Sequence, residues 1–291
     1  MLDKCPVLWN SALGKYTGEQ IHLELKEDAV PHAARAYTVP HNHMEVFKKE
    51  LDRLVSIGVL EEGSRSEWTP GTFIVPKKLL PGETVPRVRW VSDFRALNKA
   101  LRRKTYPLPR IGDILARRTG YKFLSKMDIS MGYCTLGLDD ESAEMCTIAT
   151  PFGLHRYWRL PMGVCCSPDV FQEVMEKTLK GIEDVEKHID DIGMFSKDWK
   201  SHMKVLDEVC SRLQDAGFSV NLLKCEFGVK ESDFLGHWLT PRGVKPPRKK
   251  IQGIIDVEAP KDLKQLRSFL GMVYILSRCV ACSFSCANSF D

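Results

Sequence analysis

Nowhere in the 291 residues is there a run of about eighteen apolar residues, the length a helix needs to cross a bilayer, so no membrane association is expected. The opening residues, Met1-Leu-Asp-Lys-Cys-Pro, hold no apolar stretch followed by a cleavage site, so a secretory leader is not expected either. The glycines never form a Gly-x4-Gly-Lys-Ser phosphate loop or a dinucleotide-binding fingerprint. Histidine is sparse and shows no ligand spacing: His41 and His43 precede a helix and the others are dispersed. No nucleophile triad is persuasive, since Ser201-His202 falls at a helix start and is expected to face solvent. Ten cysteines are present, but they are scattered and most lie inside apolar patterns, which fits reduced thiols in an intracellular protein, cytoplasmic or nuclear. Only Cys279, Cys282 and Cys286 are closely spaced, and without a nearby fourth ligand they read as part of a degenerate tail rather than a zinc knuckle.

What is present is an ordinary folding composition, 43% apolar and 27% charged, too mixed for disorder and long enough to bury one or two cores. The net charge of +4 is modest, and its distribution carries the information. Between Arg89 and Arg118 nine basic residues face only Asp93 and Asp113, and a second basic cluster runs from Arg242 to Lys250. Such stripes suit a phosphate backbone, with solvated faces as the plainer reading.

Residues 1 to 40 read as an arm that adds one short strand at Ile21-His-Leu-Glu-Leu. A helix is predicted from His43 to Ile57, with Asn42 and Glu45 as its capping box, Phe47, Leu51, Leu54 and Val55 as its apolar face, and Gly58 as its end. Gly71 to Pro76 and Arg87 to Ser92 form a hairpin whose turn-rich tip follows Lys77 and Lys78. Next come a strand from Lys122 to Ile129, a hairpin-rich insert to about Leu160, and a helix started by Ser167-Pro168 and stopped by Gly181. Short strands at Val185–Ile189 and Ile192–Phe195 meet at Asp190-Asp191. A helix from Trp199 to Ala216 and a strand from Phe218 to Asn221 then complete β-α-β-β-α-β, the ferredoxin-like order of an α+β fold. A further hairpin spans Phe227 to Thr240, a helix runs from Asp262 to Leu270, and the pattern is lost from Cys279 onward.

In that topology the first strand and the middle hairpin are neighbours, so Asp128 converges with Asp190 and Asp191 at one sheet edge. Three such carboxylates repel one another unless positive charge is supplied, and hard oxygen ligands are what Mg²⁺ prefers. A polar turn remains the alternative for Asp190-Asp191. The other acidic group, Asp139-Asp140-Glu141 with Glu144, reads as a solvated turn between strands with a structural role.

Over roughly residues 16 to 276 the chain resembles the reverse transcriptase region of gypsy-type LTR retrotransposon polyproteins. The matching blocks, in the family's order, include Val91-Ser-Asp-Phe-Arg-Ala-Leu-Asn-Lys, Leu124-Ser-Lys-Met-Asp-Ile, Leu160-Pro-Met-Gly-Val, Ser167-Pro-Asp-Val-Phe-Gln, His188-Ile-Asp-Asp, Lys224-Cys-Glu-Phe, Phe234-Leu-Gly-His and Leu266-Arg-Ser-Phe-Leu-Gly. The resemblance implies a right-hand polymerase fold: an N-terminal arm (1–40), fingers (41–103 and 138–161), a ferredoxin-like palm (104–137 and 162–240), a partial thumb or connection (241–278) and a tail of unknown structure (279–291). It implies RNA-directed DNA polymerase activity on a primed RNA or DNA template with dNTPs and two Mg²⁺ ions, Mn²⁺ being the substitute. Asp128, Asp190 and Asp191 are then the catalytic and metal-holding residues. Lys77 and Arg89 would contact the triphosphate, Tyr133 would lie under the sugar and favour dNTPs over ribonucleotides, and Met162 and Gly163 would line the nucleotide site. His188, Leu235 and Gly236 would contact the primer, with Asp93 and Arg95 as a supporting pair.

Two departures from the family pattern surround the site: His188 replaces the usual aromatic before Ile-Asp-Asp, and Cys165-Cys166 replaces a more polar pair. A third, the truncated thumb, makes a catalytically inactive nucleic-acid-binding relic the competing expectation.

Overall fold

The computed structural model describes residues 4–10, 12–63, 65–76 and 88–285. In chain order the first elements are α1 (His41–Ser56), β1 (Leu60–Glu62), β2 (Thr72–Pro76), β3 (Val88–Ser92), α2 (Arg95–Ala100) and α3 (Ile111–Arg117). They are followed by β4 (Phe123–Asp128), α4 (Gly132–Thr135), α5 (Asp140–Met145), β5 (Thr147–Thr150), β6 (Gly153–Tyr157) and α6 (Ser167–Thr178). Then come β7 (Val185–His188), β8 (Asp191–Ser196), α7 (Trp199–Asp215), β9 (Glu226–Val229), β10 (Ser232–Phe234), β11 (His237–Thr240) and β12 (Gly243–Lys245). Two helices, α8 (Arg248–Ile255) and α9 (Leu263–Ser285), close the series.

The central sheet has the order β7-β8-β4-β9, with every neighbouring pair antiparallel. This is the ferredoxin-like arrangement, with one correction. Phe218–Asn221 forms only a single bridge, Val220 to Ile129, and the last strand of the sheet is β9. The cause is local: Asn221 leads directly into a 3₁₀ turn, Leu222–Lys224, so the chain reaches the sheet edge only after that turn. The segment predicted as one hairpin from Phe227 to Thr240 is therefore divided between β9 and a separate three-stranded sheet, β10-β11-β12.

Helices α6 and α7 pack on this sheet through apolar residues three and four positions apart. Phe171, Val174 and Met175 are buried on α6, and Leu206, Val209 and Leu213 on α7. His202 shares the α7 stripe because it stands four residues before Leu206, and it is fully buried rather than solvent-facing as its sequence position suggested. Its ring bonds the Ser125 hydroxyl at 2.7 Å and the Ser196 hydroxyl at 3.1 Å, and Ser125 also accepts the Gly228 N–H at 2.9 Å. One buried polar network thus ties β4, β8 and β9 to α7, and burial lowers the imidazole's pKa, favouring its neutral form.

Around this layer lie the β2-β3 hairpin, paired from Thr72–Ser92 to Pro76–Val88, and a second small sheet, β1-β6-β5. The predicted tip of the hairpin, with Lys77 and Lys78, lies outside the described residues. Helix α1 begins at His41, with Pro40 at its N-cap, so Asn42 sits within the first turn and the expected capping box does not form. Proline's fixed φ already suits a helix entry. Phe47, Leu51 and Leu54 are buried as expected, Val55 is exposed, and Gly58 ends the helix at φ +70°. Asp140 to Met145 is helical rather than a turn, and Asp139 caps it by accepting the Ser142 N–H at 2.9 Å, a structural role as predicted. The N-terminal arm contributes isolated bridges at Ile21 and Leu25 instead of a strand. It crosses the end of α7 so closely that a Cβ on Gly217, at φ +80°, would lie 1.9 Å from the Lys15 carbonyl. Finally, α9 extends through Ser285, well past the predicted Leu270 and into the segment whose sequence pattern had faded.

Candidate polymerase site

The β4–β8 register places Asp128 directly opposite Asp191, and Asp191 is opposite His188 on β7. Ile189 and Asp190 form the tight link between β7 and β8. Ile189 has φ +55°, a left-handed conformation that is costly for a β-branched residue, on the order of 1–3 kcal/mol. It persists because its surroundings fix it. The Gln172 side chain, fully buried on α6, accepts the Ile189 N–H at 2.7 Å and donates to the Lys187 carbonyl at 3.2 Å, while the Asp190 carbonyl accepts the Ile129 N–H at 3.0 Å. Gly193, two residues along β8, leaves room for the Phe234 ring, which would lie 2.7 Å from an added Cβ.

The trio is short of positive charge. Burial, then Asp190 and Asp128, pushes the Asp191 carboxyl up to about 6; burial and Asp128 also raise Asp190. The cation nearest to hand is Lys224, whose Nζ lies 2.9 Å from both carboxylate oxygens of Asp128. Among the described residues no three metal-binding side chains are drawn into a ready cage. Asp190 and Asp191 instead open onto different clefts. One, of about 290 Å³, is lined by Asp128, Asp190, Tyr133, Met162, Phe171 and Lys224. The other, of about 370 Å³, is lined by Asp128, Asp191, Lys224, Lys126, Glu226 and Asp233. Asp128 and Lys224 are common to both.

Asp191 yields a prediction about stability. Its folded pKa lies above its unfolded value, so its stabilising contribution is complete below about pH 4 and is lost as pH rises through about 6. Asp191→Asn is therefore expected to melt higher than the unaltered chain at pH 7 in chelator-treated protein, the two converging near pH 4. A variant that melts lower at pH 7 would contradict this electrostatic account.

Tyr133, on the short helix α4, packs edge-on against Phe171 with centroids 5.4 Å apart, and burial pushes its phenol up to about 12, so the ring presents a neutral face to the cleft. Met162 is 67% exposed and Gly163 has φ +100°. Asn98 holds their loop from both sides, donating to the Gly163 carbonyl and accepting the Cys165 N–H, each at 2.8 Å. Arg89 is exposed on β3 opposite Val75, and Leu235 and Gly236 form the left-handed turn between β10 and β11. Arg89, Gly163, His188, Leu235 and Gly236 are not among the residues lining the Tyr133 cleft, and Lys77 lies outside the described residues. Arg95 grips Asp93 through two bonds of 2.7 and 2.6 Å, and Tyr37 adds a third at 2.7 Å, holding the Asp93 carboxyl well below the usual range.

The sequence profile of the family described as reverse transcriptase (RNA-dependent DNA polymerase) matches residues 75–239, more than half of the chain. The chain belongs to the reverse transcriptase family. An uncharacterized protein of Caenorhabditis elegans is 34% identical over 275 residues, 94% of this chain and 21% of that protein. The retrovirus-related Pol polyprotein from transposon 412 of Drosophila melanogaster is 32% identical over 250 residues, 85% of this chain and 20% of the polyprotein. The chain thus spans about a fifth of the length of these relatives. Among solved structures, a foamy viral protease-reverse transcriptase in complex with double-stranded DNA superimposes with a TM-score of 0.84 at 26% identity, covering 98% of this chain and 50% of that one. Another, in complex with an RNA/DNA hybrid, gives 0.83 at 26% identity, covering 94% and 36%. The fold is therefore the right-hand polymerase fold. This reverse transcriptase domain is homologous to LTR-retrotransposon and retroviral Pol polyproteins. No helix among its described residues is long and apolar enough to cross a membrane.

Three positioning residues were not singled out in the sequence. Gln172 and Asn98 lie inside recognisable blocks, and Lys224 opens another, but their roles depend on contacts between distant elements. A polar Gln172 on the buried face of α6 was the available signal.

Proposed function

We propose that the chain carries an RNA-directed DNA polymerase site that adds a deoxynucleotide from a dNTP to a primer 3′-hydroxyl on an RNA or DNA template. The observation that supports this most directly is the cross-strand pairing of Asp128 with Asp191 beside the strained turn that carries Asp190. Two Mg²⁺ ions, with Mn²⁺ as substitute, would supply activation of the primer hydroxyl and neutralisation of the leaving pyrophosphate, held by Asp128, Asp190 and Asp191. The donor set fits: it is all oxygen and carries uncompensated negative charge, part of which Lys224 now balances.

The protein's own groups then orient the substrates. Tyr133 supports the sugar and excludes a 2′-hydroxyl by contact, the Met162–Gly163 loop borders the base, and Lys77 and Arg89 steady the triphosphate through charge-assisted bonds. His188, Leu235 and Gly236 hold the primer end. In this reading residues 41–103 and 138–161 are fingers, 104–137 and 162–240 palm, and 241–278 part of a thumb or connection, after an arm at 1–40. The setting is intracellular, cytoplasmic or nuclear.

The test is extension of a labelled primer on an RNA template. The purified chain with Mg²⁺ is expected to incorporate dNTPs in preference to ribonucleotides; equal use of both would overturn the role of Tyr133. Lys224 on a catalytic carboxylate is the observation that favours a second reading, a non-catalytic nucleic-acid-binding relic. Duplex binding indifferent to metal, with no incorporation, would select that reading.

A further inference from the structure

Among the described residues, Lys224 is the cation bonded directly to one of the three carboxylates. Lys126, whose charge also acts on Asp191, is paired with Glu226 at 2.8 Å, whereas Lys224 straddles both oxygens of Asp128, the carboxylate shared by the two clefts. Its side chain is 60% exposed, while that of Asp128 is 17% exposed, so the ammonium reaches in from solvent to a largely covered acid. It also has room to leave. Lys224 ends a single 3₁₀ turn, Leu222–Lys224, whose Leu223 is almost wholly exposed, so its side chain can swing outward without repacking a core.

From this geometry we infer that Lys224 is a built-in counter-ion that occupies Asp128 in the metal-free site and must be displaced before Asp128, Asp190 and Asp191 can close on a divalent cation. The inference rests on the metal-binding reading of the three aspartates. Two consequences follow from charge alone. With no metal, Lys224 offsets repulsion among three converging carboxylates and so stabilises the folded chain. When a divalent cation arrives, the same ammonium competes for Asp128, so it weakens metal binding. A unit charge a few ångströms away shifts a neighbouring ionic equilibrium by roughly one to three powers of ten. For a lysine as exposed as this one the low end applies, about tenfold. Lys224 thereby acts as a threshold: the three-carboxylate site stays open and charge-balanced at low metal and assembles only when metal, or metal carried in with a triphosphate, outcompetes the ammonium.

The experiment is Mn²⁺ binding followed by the electron paramagnetic resonance signal of the free ion, on the chelator-treated full chain, its Lys224→Met, Lys224→Arg and Asp190→Asn variants, with a melting curve of each in the absence of metal. Lys224→Met is expected to bind Mn²⁺ about tenfold more tightly than the unaltered chain and to melt lower without metal. Lys224→Arg, which keeps the charge and can grip a carboxylate through two bonds, is expected to bind no more tightly than the unaltered chain. Asp190→Asn is expected to weaken binding. If Lys224→Met binds Mn²⁺ equally or less tightly while Asp190→Asn still weakens it, the counter-ion role is wrong and the metal site stands. If no variant, Lys224→Met included, binds Mn²⁺ better than Asp190→Asn does, the metal-site reading fails and the counter-ion role falls with it.

Discussion

Asp190→Asn is expected to lower primer extension by about 10³-fold while leaving the chain folded. Replacing one of three oxygen ligands with a neutral amide withdraws several kcal/mol of charge stabilisation from the transferring phosphoryl group, and each 1.36 kcal/mol is a factor of ten in rate. The fold survives because partial desolvation and the neighbouring Asp128 carboxylate already disfavour the ionised form of Asp190. The amide is nearly isosteric, and the backbone contact that fixes the turn, from Ile129 N–H to the Asp190 carbonyl, does not involve the side chain. The comparison requires single-turnover extension with a purified variant whose melting temperature is at least that of the unaltered chain. Activity within tenfold of the unaltered chain would remove Asp190 from the catalytic set.

The second large effect is on stability. Phe171 is fully buried on α6 and lies against Tyr133 at 5.4 Å and Phe218 at 6.0 Å, edge-on to both. Its ring also fills the space above Gly132, where an added Cβ would come within 2.7 Å. Phe171→Ala empties that volume between α4, α6 and the end of α7, and the loss of apolar contact plus the cavity is expected to cost about 3–5 kcal/mol. Urea denaturation would register this as a lower midpoint with an unchanged slope. Because Phe171 also lines the cleft behind Tyr133, surviving Phe171→Ala protein is expected to discriminate less well between dNTPs and ribonucleotides. A cost under about 1 kcal/mol would mean that the α4–α6 contact is not part of the core.

The central sheet was legible in the sequence where neighbouring elements are local. The β7–β8 hairpin around Asp190-Asp191 and the helices on either side follow from short apolar strands and helical spacing, and the convergence with Asp128 from the ferredoxin-like order that these elements spell out. What the residues did not disclose are long-range choices. Phe218 to Asn221 alternates like a strand, yet only Val220 makes a bridge, because the edge of β4 is taken by β9 beyond the 3₁₀ turn. His202 looked like a surface residue beside Ser201 because its partners, Ser125 and Ser196, sit on strands that pack against α7 only in the folded chain. Lys224 was visible as the first residue of a motif, but nothing local indicates that its amine reaches a carboxylate 96 residues earlier. The strain at Ile189 is likewise a property of the turn, not of isoleucine, and is held by Gln172 from another element.

The placement of β4 between β8 and β9 has a kinetic consequence. The β7–β8 hairpin can form quickly from adjacent residues, but β4 must close loops across α6 on one side and across α7 on the other before its ladders yield any stabilisation. Asp128 therefore joins Asp190 and Asp191 only when these slow, non-local steps are complete. A collapsed intermediate that holds the hairpin alone presents two of the three carboxylates and no Lys224 beside Asp128. During refolding, the appearance of a divalent-cation site should thus coincide with the slowest phase and report the arrival of the native sheet.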